Sequence, residues 1–530
     1  MSEAPQGNNG AGKRARLLRS AAAMSLITLG SRVLGLVREQ VRAHYLGTSL
    51  ASDAFGLAFQ IPNLLRRLVA EGAMSAGFIP VLSEVEENEG RPAAVQFAIR
   101  YFNLVMLALS GITALGMLGA SVVVGLFVLL GGRDVGVEAQ TLTISLTRWM
   151  FPYIAFVSLA AVAQGILNTY RVFWVSAASS VVMNLAIIGG AVLLAGSVDQ
   201  PVYAFAIGVL IAGVLQFAVQ VPFVLKLGFR WKPDFRVGPQ IRKALWLLVP
   251  TLFGAGVYQV NVLVSQAIAW GLGSGAVSSL QYSSRLLELT LGVFAVAIST
   301  VVLPSLSRDA AAGRLEEVRE TTLYAVRLCC FVCFPMAASL FLLRSETASL
   351  LFERGAYDAQ STSMTAFALS FHLIGLVHIA LGRIFVPVFY AFKDTRTPVW
   401  TAAVAMVVNI ALCYALAGPL HHGGIALANT ASALVQTSLL AWFLRRHTGR
   451  LEDDRTAASL LRTALATAAA AAVVLPMADA LMAGKHGTEL ALPYLLTVIA
   501  AVAAFLAVCL LTRHPDLAEV IGIIRRRLGR

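Results

Sequence analysis

Apolar runs of about twenty residues or more follow one another from residue 21 to residue 512, with mostly short polar breaks. About 20 apolar residues suffice to cross a bilayer as helix, so a chain patterned this way has no stretch left for a separate soluble domain. Composition agrees: 58% of the 530 residues are hydrophobic and 13% are charged, against about one quarter charged in soluble domains. We therefore expect an all-α polytopic membrane protein with fourteen transmembrane helices. They lie near 21–46, 53–82, 97–130, 141–168, 173–196, 202–225, 244–270, 276–305, 318–342, 361–391, 398–417, 424–444, 458–482 and 490–512. The basic opening, ending KRARLLRS, resembles a signal-peptide leader. Arg32 interrupts the apolar run behind it, and no A-x-A site precedes a soluble domain, so a retained first helix is expected.

The net charge of +13 could suggest nucleic acid, but its placement points elsewhere. Of the 41 Lys and Arg, 26 fall in one alternating set of connections and tails, and 4 in the opposite set. That is the positive-inside bias of a membrane protein with both termini cytoplasmic. The remaining 11 lie within or at the edges of the spans. All five cysteines fall in apolar runs, Cys330 and Cys333 as CFVC, with no histidine at metal spacing, so they are expected to pack rather than bind metal.

A repeat appears at an offset of about 224 residues. Gly47 matches Gly271 and PVLS at Pro80–Ser83 matches PSLS at Pro304–Ser307; Arg171 and Asn184 match Arg396 and Asn409; Gln216 matches Gln436 after a short gap. Six spans separate each pair. This implies two six-helix lobes of the same topology around a central cavity, plus two C-terminal helices. The expected division is a basic N-terminus at 1–20, a first lobe at 21–225, a basic cytoplasmic linker at 226–243, a second lobe at 244–444, the last two helices at 445–512 and a basic tail at 513–530.

The chemistry concentrates in Gly30–Ser83, which is apolar enough for membrane helix yet holds Arg32, Arg38, Glu39, Arg42, Asp53, Arg66, Arg67 and Glu71. An arginine at the bilayer centre costs about 2.5–3.5 kcal/mol on insertion scales. Several in one hairpin point to a wet, protein-lined cavity for something anionic. On a helix Arg32 and Glu39 lie about 20° apart and Arg38 and Arg42 about 40° apart, giving two stripes too widely separated for one salt-bridge seam. Arg42, near the external end, can instead snorkel to the interface. Pro62 should loosen the second span where Asn63 and Arg66 begin. Arg67 and Glu71 can pair with each other, and Asp53 can be a helix N-cap, with Ser52 competing for that role. In the second lobe, Arg285 faces either the cavity or Glu288 on the adjacent turn. Arg148, Arg327 and Arg383 suit burial or interface positions, and His372 and His378 suit packing.

Arginine is the natural partner of a diphosphate, because its planar guanidinium bonds phosphate oxygens bidentately and stays charged at any relevant pH. A proton-coupled drug pump needs titratable carboxylates deep in the bundle, yet 244–270 and 398–417 contain no Asp or Glu. There is no Walker A, HExxH or GxSxG motif, so neither an enzyme nor an ATPase is expected.

Three stretches carry a family resemblance: SRVLGLVRE (Ser31–Glu39), SDAFGLAFQIPNLLRRLVAEGAMSAGFIPVLSE (Ser52–Glu84) and YSSRLLELTLGVFAVAISTVVLPSLSR (Tyr282–Arg308). They resemble the MurJ/MviN family of lipid II flippases, over about residues 20–512, with Asn63–Ala73 the most specific part. The resemblance implies fourteen helices, a groove formed with the last two helices for a lipid tail, and cavity arginines at Arg32, Arg38, Arg66 and Arg285. It also implies acidic residues at Asp53 and Glu71. An Arg-Asp pair common in the family is Arg38-Glu39 here, and the acidic residue often preceding the second-lobe arginine is Ser284. The carboxylates of a sodium site in the seventh and eleventh helices have no counterpart.

The expected activity is movement of undecaprenyl-diphosphate-linked muropeptide, lipid II, across the bacterial inner membrane by alternating access, without cofactor or metal. The substrate-binding residues are expected to be Arg32, Arg38, Glu39, Asp53, Asn63, Arg66, Glu71 and Arg285. Partners would be lipid II, membrane lipids and cell-wall synthesis or division proteins, with no nucleic acid. The alternatives are an exporter of another polyprenyl-linked oligosaccharide or of drugs, and a non-transporting membrane scaffold.

Overall fold

The computed structural model describes residues 9–66, 77–449, 453–519 and 521. Helix accounts for nearly all of them, and each of the fourteen expected ranges falls on helix among the described residues. By length and apolar content, eight of the described helices can cross a membrane, or nine if one bent pair is a single span. That pair is Ala359–Ile374 and Leu376–Ala391, bent by 46° at Gly375.

Two expected spans, 398–417 and 424–444, lie as two helices joined across a kink within Arg396–Thr448. The kink falls at His421, whose φ of 47° and ψ of −137° are not helical. Pro419, which cannot donate to the helical ladder, lies two residues before. A short helix, Arg344–Phe352, forms in what hydropathy reads as a connection, with Glu346 in its first turn where the helix dipole favours an anion.

The chain divides into two compact units. The first comprises residues 1–46, 54–129 and 135–259; the second comprises 47–53, 130–134 and 260–530.

In the first unit, the helices Phe173–Leu194 and Pro201–Lys226 pack backbone to backbone at two glycines. A Cβ on Gly190 would come within 2.6 Å of the Gly208 Cα. Lipid supplies no hydrophobic drive for two helices to associate, so close approach through small residues takes its place. A second cluster joins Phe78, Leu82, Phe97 and Tyr101 to Phe229 and Ile241, so the basic linker is packed into this unit.

In the second unit, the last two long helices, Asp454–Met482 and Ala491–Leu511, pack on Leu315–Leu342 through Phe331, Ala466, Ala470 and Phe505. A buried polar group lies at one end of this packing. Arg327 Nε is 3.2 Å from Asp516 Oδ1, its Nη1 donates to Thr456, and Asp516 also accepts from Ser459.

Arg171 and Lys393 end their helices in the same kind of turn, as Arg513 does. Arg171 adopts φ 61°, and the Val172 N–H reaches back to Leu167 O at 2.8 Å. Lys393 adopts φ 60°, and the Asp394 N–H reaches Phe389 O at 2.9 Å. Asp394 accepts from the N–H groups of Arg396 and Thr397 and so starts the next helix.

Candidate functional site

The first helix, Asn9–Leu46, carries its charges inside an otherwise apolar stretch. Arg38 Nη2 lies 2.6 Å from Glu39 Oε1, and Arg42 Nη1 lies 3.6 Å from Glu39 Oε2. One carboxylate therefore serves both cations, where helical geometry alone keeps the stripes apart. The long side chains bridge the gap because a carboxylate in apolar surroundings needs compensation. Arg42 does not snorkel: it is buried, with its guanidinium 5.4 Å from the centre of the Phe55 ring. Arg32 is half-buried and has no carboxylate partner among the described residues.

Arg38 is also held from a second helix. Asn184, buried on Phe173–Leu194, accepts from Arg38 Nη1 through Oδ1 at 3.2 Å. Its Nδ2 donates to Ser31 O and to Ser180 O, both at 3.1 Å. The two carbonyls fix which way the amide points, and so present its oxygen to the guanidinium. A hydrogen bond to a charged group contributes about 1.5–3 kcal/mol net. Asn184 is absent from the expected site. Its signal was the match to Asn409 in the repeat.

In the second unit, Asn409 is likewise fully buried. Its Nδ2 donates to Asn261 Oδ1 at 2.8 Å and to Ser265 Oγ at 2.9 Å, and Ser265 lies 3.7 Å from Cys413 Sγ. No charged group takes part in these bonds. The sodium site that the family resemblance implies needs carboxylates, and this neutral donor set does not fit it.

Asp53 does something sequence could not reveal. It is 1% exposed, and its two carboxylate oxygens accept from the N–H groups of Gly275 and Ser278, each at 2.7 Å. Asp53 thus caps the Ala276–Ala311 helix from 222 residues away, placing an anion at the positive end of its dipole. Gly275 makes the cap possible with a φ of 86°, where a side chain would be strained, and its Cβ would collide with Thr48 O at 2.6 Å. At the start of Asp53's own helix, Leu50–Arg66, the Ser52 N–H donates to Ser49 Oγ at 3.2 Å. Ser49 is therefore the side-chain cap there, in place of the expected Ser52 or Asp53.

The helix that Asp53 caps carries Arg285. Arg285 Nη1 is 3.3 Å from Glu288 Oε2, with the two side chains 26% and 56% exposed. Its Nε is buried and has no acceptor among the described residues. One edge of this guanidinium is therefore loosely paired, and its Nε is an unsatisfied donor among the described residues. On the preceding turn, Ser283 and His372 Nδ1 share a buried hydrogen bond of 2.7 Å, which locks the helix against Ala359–Ile374.

Asn63 is half-buried behind Pro62 in the Leu50–Arg66 helix. That helix ends on Arg66, whose side chain lies outside the described residues, as do Arg67 and Glu71 entirely. All five cysteines are buried, and among the described residues no group of His, Cys, Asp or Glu could hold a metal ion.

A family model described as "Lipid II flippase MurJ" matches residues 42–497. A lipid II flippase MurJ of Burkholderia cenocepacia is 37% identical over 436 residues, covering 81% of this chain and 84% of that protein. A probable lipid II flippase MurJ of Treponema pallidum is 36% identical over 446 residues, covering 82% of each. Among solved structures, an inward closed conformation of lipid II flippase MurJ superposes with a TM-score of 0.78 at 24% identity, over 96% of this chain and 99% of that one. An inward-facing multidrug resistance transporter of the MATE family, in the MOP superfamily, gives 0.67 at 15% identity, over 81% of this chain and 98% of that one. These two likenesses speak to the fold.

Proposed function

The chain belongs to the lipid II flippase MurJ family, and from that premise we propose how it moves lipid II from the inner to the outer leaflet by alternating access. It is a transporter and not an enzyme. Arg32, Arg38, Arg66 and Arg285 serve as the cations that take the diphosphate. Glu39 and Asn184 hold Arg38 in place when no phosphate is there, and Glu288 does the same for Arg285. Asn63 and Glu71 complete the polar lining, while Asp53 acts through the helix it caps, fixing where Arg285 stands.

The observation that carries this reading is the buried, unmatched Nε of Arg285. A guanidinium with one donor unsatisfied gains a bond when a phosphate oxygen reaches it, without breaking its existing contact. The protein has fourteen membrane helices in two six-helix lobes, with the last two guiding the isoprenoid tail, and both termini are cytoplasmic. Cell-wall synthesis and division proteins are its neighbours in the inner membrane. Arginines in the membrane field feel about 2.3 kcal/mol per charge per 100 mV for full transit. An inside-negative potential would return the substrate-free protein to its inward-open state.

The test is periplasmic accessibility of lipid II in cells whose only copy is this protein. R285Q and R38Q are expected to leave lipid II inaccessible and stop cell-wall synthesis. Normal accessibility in both variants would overturn the assignment. Normal wall synthesis on depletion, with new drug sensitivity, would favour a drug exporter, and tolerance of uncharged residues at all four arginines would favour a scaffold.

A further inference from the structure

The linker between the helices Pro201–Lys226 and Pro239–Trp270 is a fastened strap that carries more than the positive-inside bias requires. Asn103, fully buried on Arg91–Leu118, donates through Nδ2 to Lys232 O at 2.7 Å and Asp234 O at 2.9 Å, and accepts from Trp231 Nε1 at 2.8 Å. Arg100 Nε reaches Asp234 at 2.9 Å, and Arg91 Nη2 holds Leu227 O at 2.7 Å. Beneath the strap lies an apolar cleft of about 110 Å³. Phe102, Phe217 and Val221 form its walls, and Leu225, Phe229 and Trp231 close its strap end. Along that end the apolar residues are interleaved with Lys226, Arg230 and Lys232, whose side chains are exposed. Trp231 and Phe235, 58% and 45% exposed, continue the strip beyond the cleft.

We propose that this cleft and strap form a binding site for one anionic glycerophospholipid of the inner leaflet. An acyl chain fills the cleft below Trp231, and the phosphate meets Lys226, Arg230 and Lys232. Three features select this occupant. The cleft is walled by helices apolar enough to lie in a membrane, so the ligand reaching it is a hydrocarbon chain. The cations gather at one end only, as a headgroup requires. An indole exposed beside them is the residue type that settles at the headgroup level. The site is distinct from the arginines assigned to lipid II, and it rests on the cytoplasmic placement of residues 226–243.

The full-length protein, stripped of lipid and placed in nanodiscs with equal palmitoyl-oleoyl phosphatidylglycerol and phosphatidylcholine, tests this. Lipid retained on transfer to detergent is counted by mass spectrometry. Wild-type protein is expected to retain phosphatidylglycerol at least fivefold over phosphatidylcholine. The preference should fall to parity in R230Q/K232Q, whose exposed side chains make misfolding an unsuitable explanation, and total retention should fall in I99W, which fills the cleft from its rim. R38Q should keep the wild-type preference. Equal retention of the two lipids by the wild type overturns the proposal, as does an unaltered preference in R230Q/K232Q. Loss of preference in R38Q also overturns it, because the lipid would then be sitting at the lipid II arginines.

Discussion

Asn184 and Asn409 stand 225 residues apart, at matching places in the repeat, and both are buried amides that tie a helix to the first helix of its half. Around Asn184 the partners are a backbone carbonyl and Arg38, itself paired with Glu39. Around Asn409 they are Asn261 and Ser265, all neutral. The architecture needed the amide twice, since a short polar side chain holds two apolar helices together wherever lipid offers no drive for association. It needed the charge once. On the proposed function, the difference separates what the fold requires from what the substrate requires, because a neutral hub would have served the first half equally well as scaffold.

Substitution at the two hubs gives ways to break this comparison. The largest effect is expected from R38M, which leaves Glu39 with Arg42 alone. Breaking a buried ion pair costs about 3–5 kcal/mol, and lipid II translocation should fall by more than tenfold in the fraction that folds. N184A is next: it removes a charge-assisted hydrogen bond of about 1.5–3 kcal/mol and frees Arg38. Translocation should drop severalfold, with the loss recovered in N184Q if reach alone is at issue. N409A removes two neutral bonds of about 1 kcal/mol each. It should lower thermal stability while leaving translocation per folded molecule near wild type. A larger transport defect in N409A than in N184A would reverse the comparison.

D53A sharpens it from another side. Loss of a cap costs about 1 kcal/mol, within a range of about 0.5–2, read as a lower midpoint in thermal unfolding. Because the capped helix carries Arg285, transport should weaken moderately, and D53N should recover part of both effects. The smallest effect concerns pH. Hydrogen bonds from Arg236, and then Arg100, hold the Asp234 carboxyl well below the ordinary aspartate value. A depressed carboxyl stabilises the fold above its unfolded value of about 3.9 and loses that contribution as pH falls further. The strap should therefore stay protected in hydrogen exchange down to about pH 4 and loosen only in stronger acid.

Much of this was legible in the sequence, and the limits have physical causes. Helix placement followed from apolar length alone, and the arginines stood out because each is costly in lipid. The partners were hidden. Asp53 caps a helix 222 residues away, a pairing that only the folded chain creates. Glu39 reaches both Arg38 and Arg42 because long side chains escape the angular spacing of their Cβ atoms. Asn184 carried a signal, its match to Asn409, but an amide in an apolar helix does not announce which neighbour it serves.

The central claim is that Arg38 and Arg285 are there for a diphosphate. Equilibrium binding of purified lipid II to full-length protein in nanodiscs tests it most directly, comparing wild type, R38Q/R285Q and N409A. Affinity is expected to fall at least tenfold in the double variant and to hold within twofold in N409A. Undiminished lipid II binding by a folded R38Q/R285Q protein would contradict it.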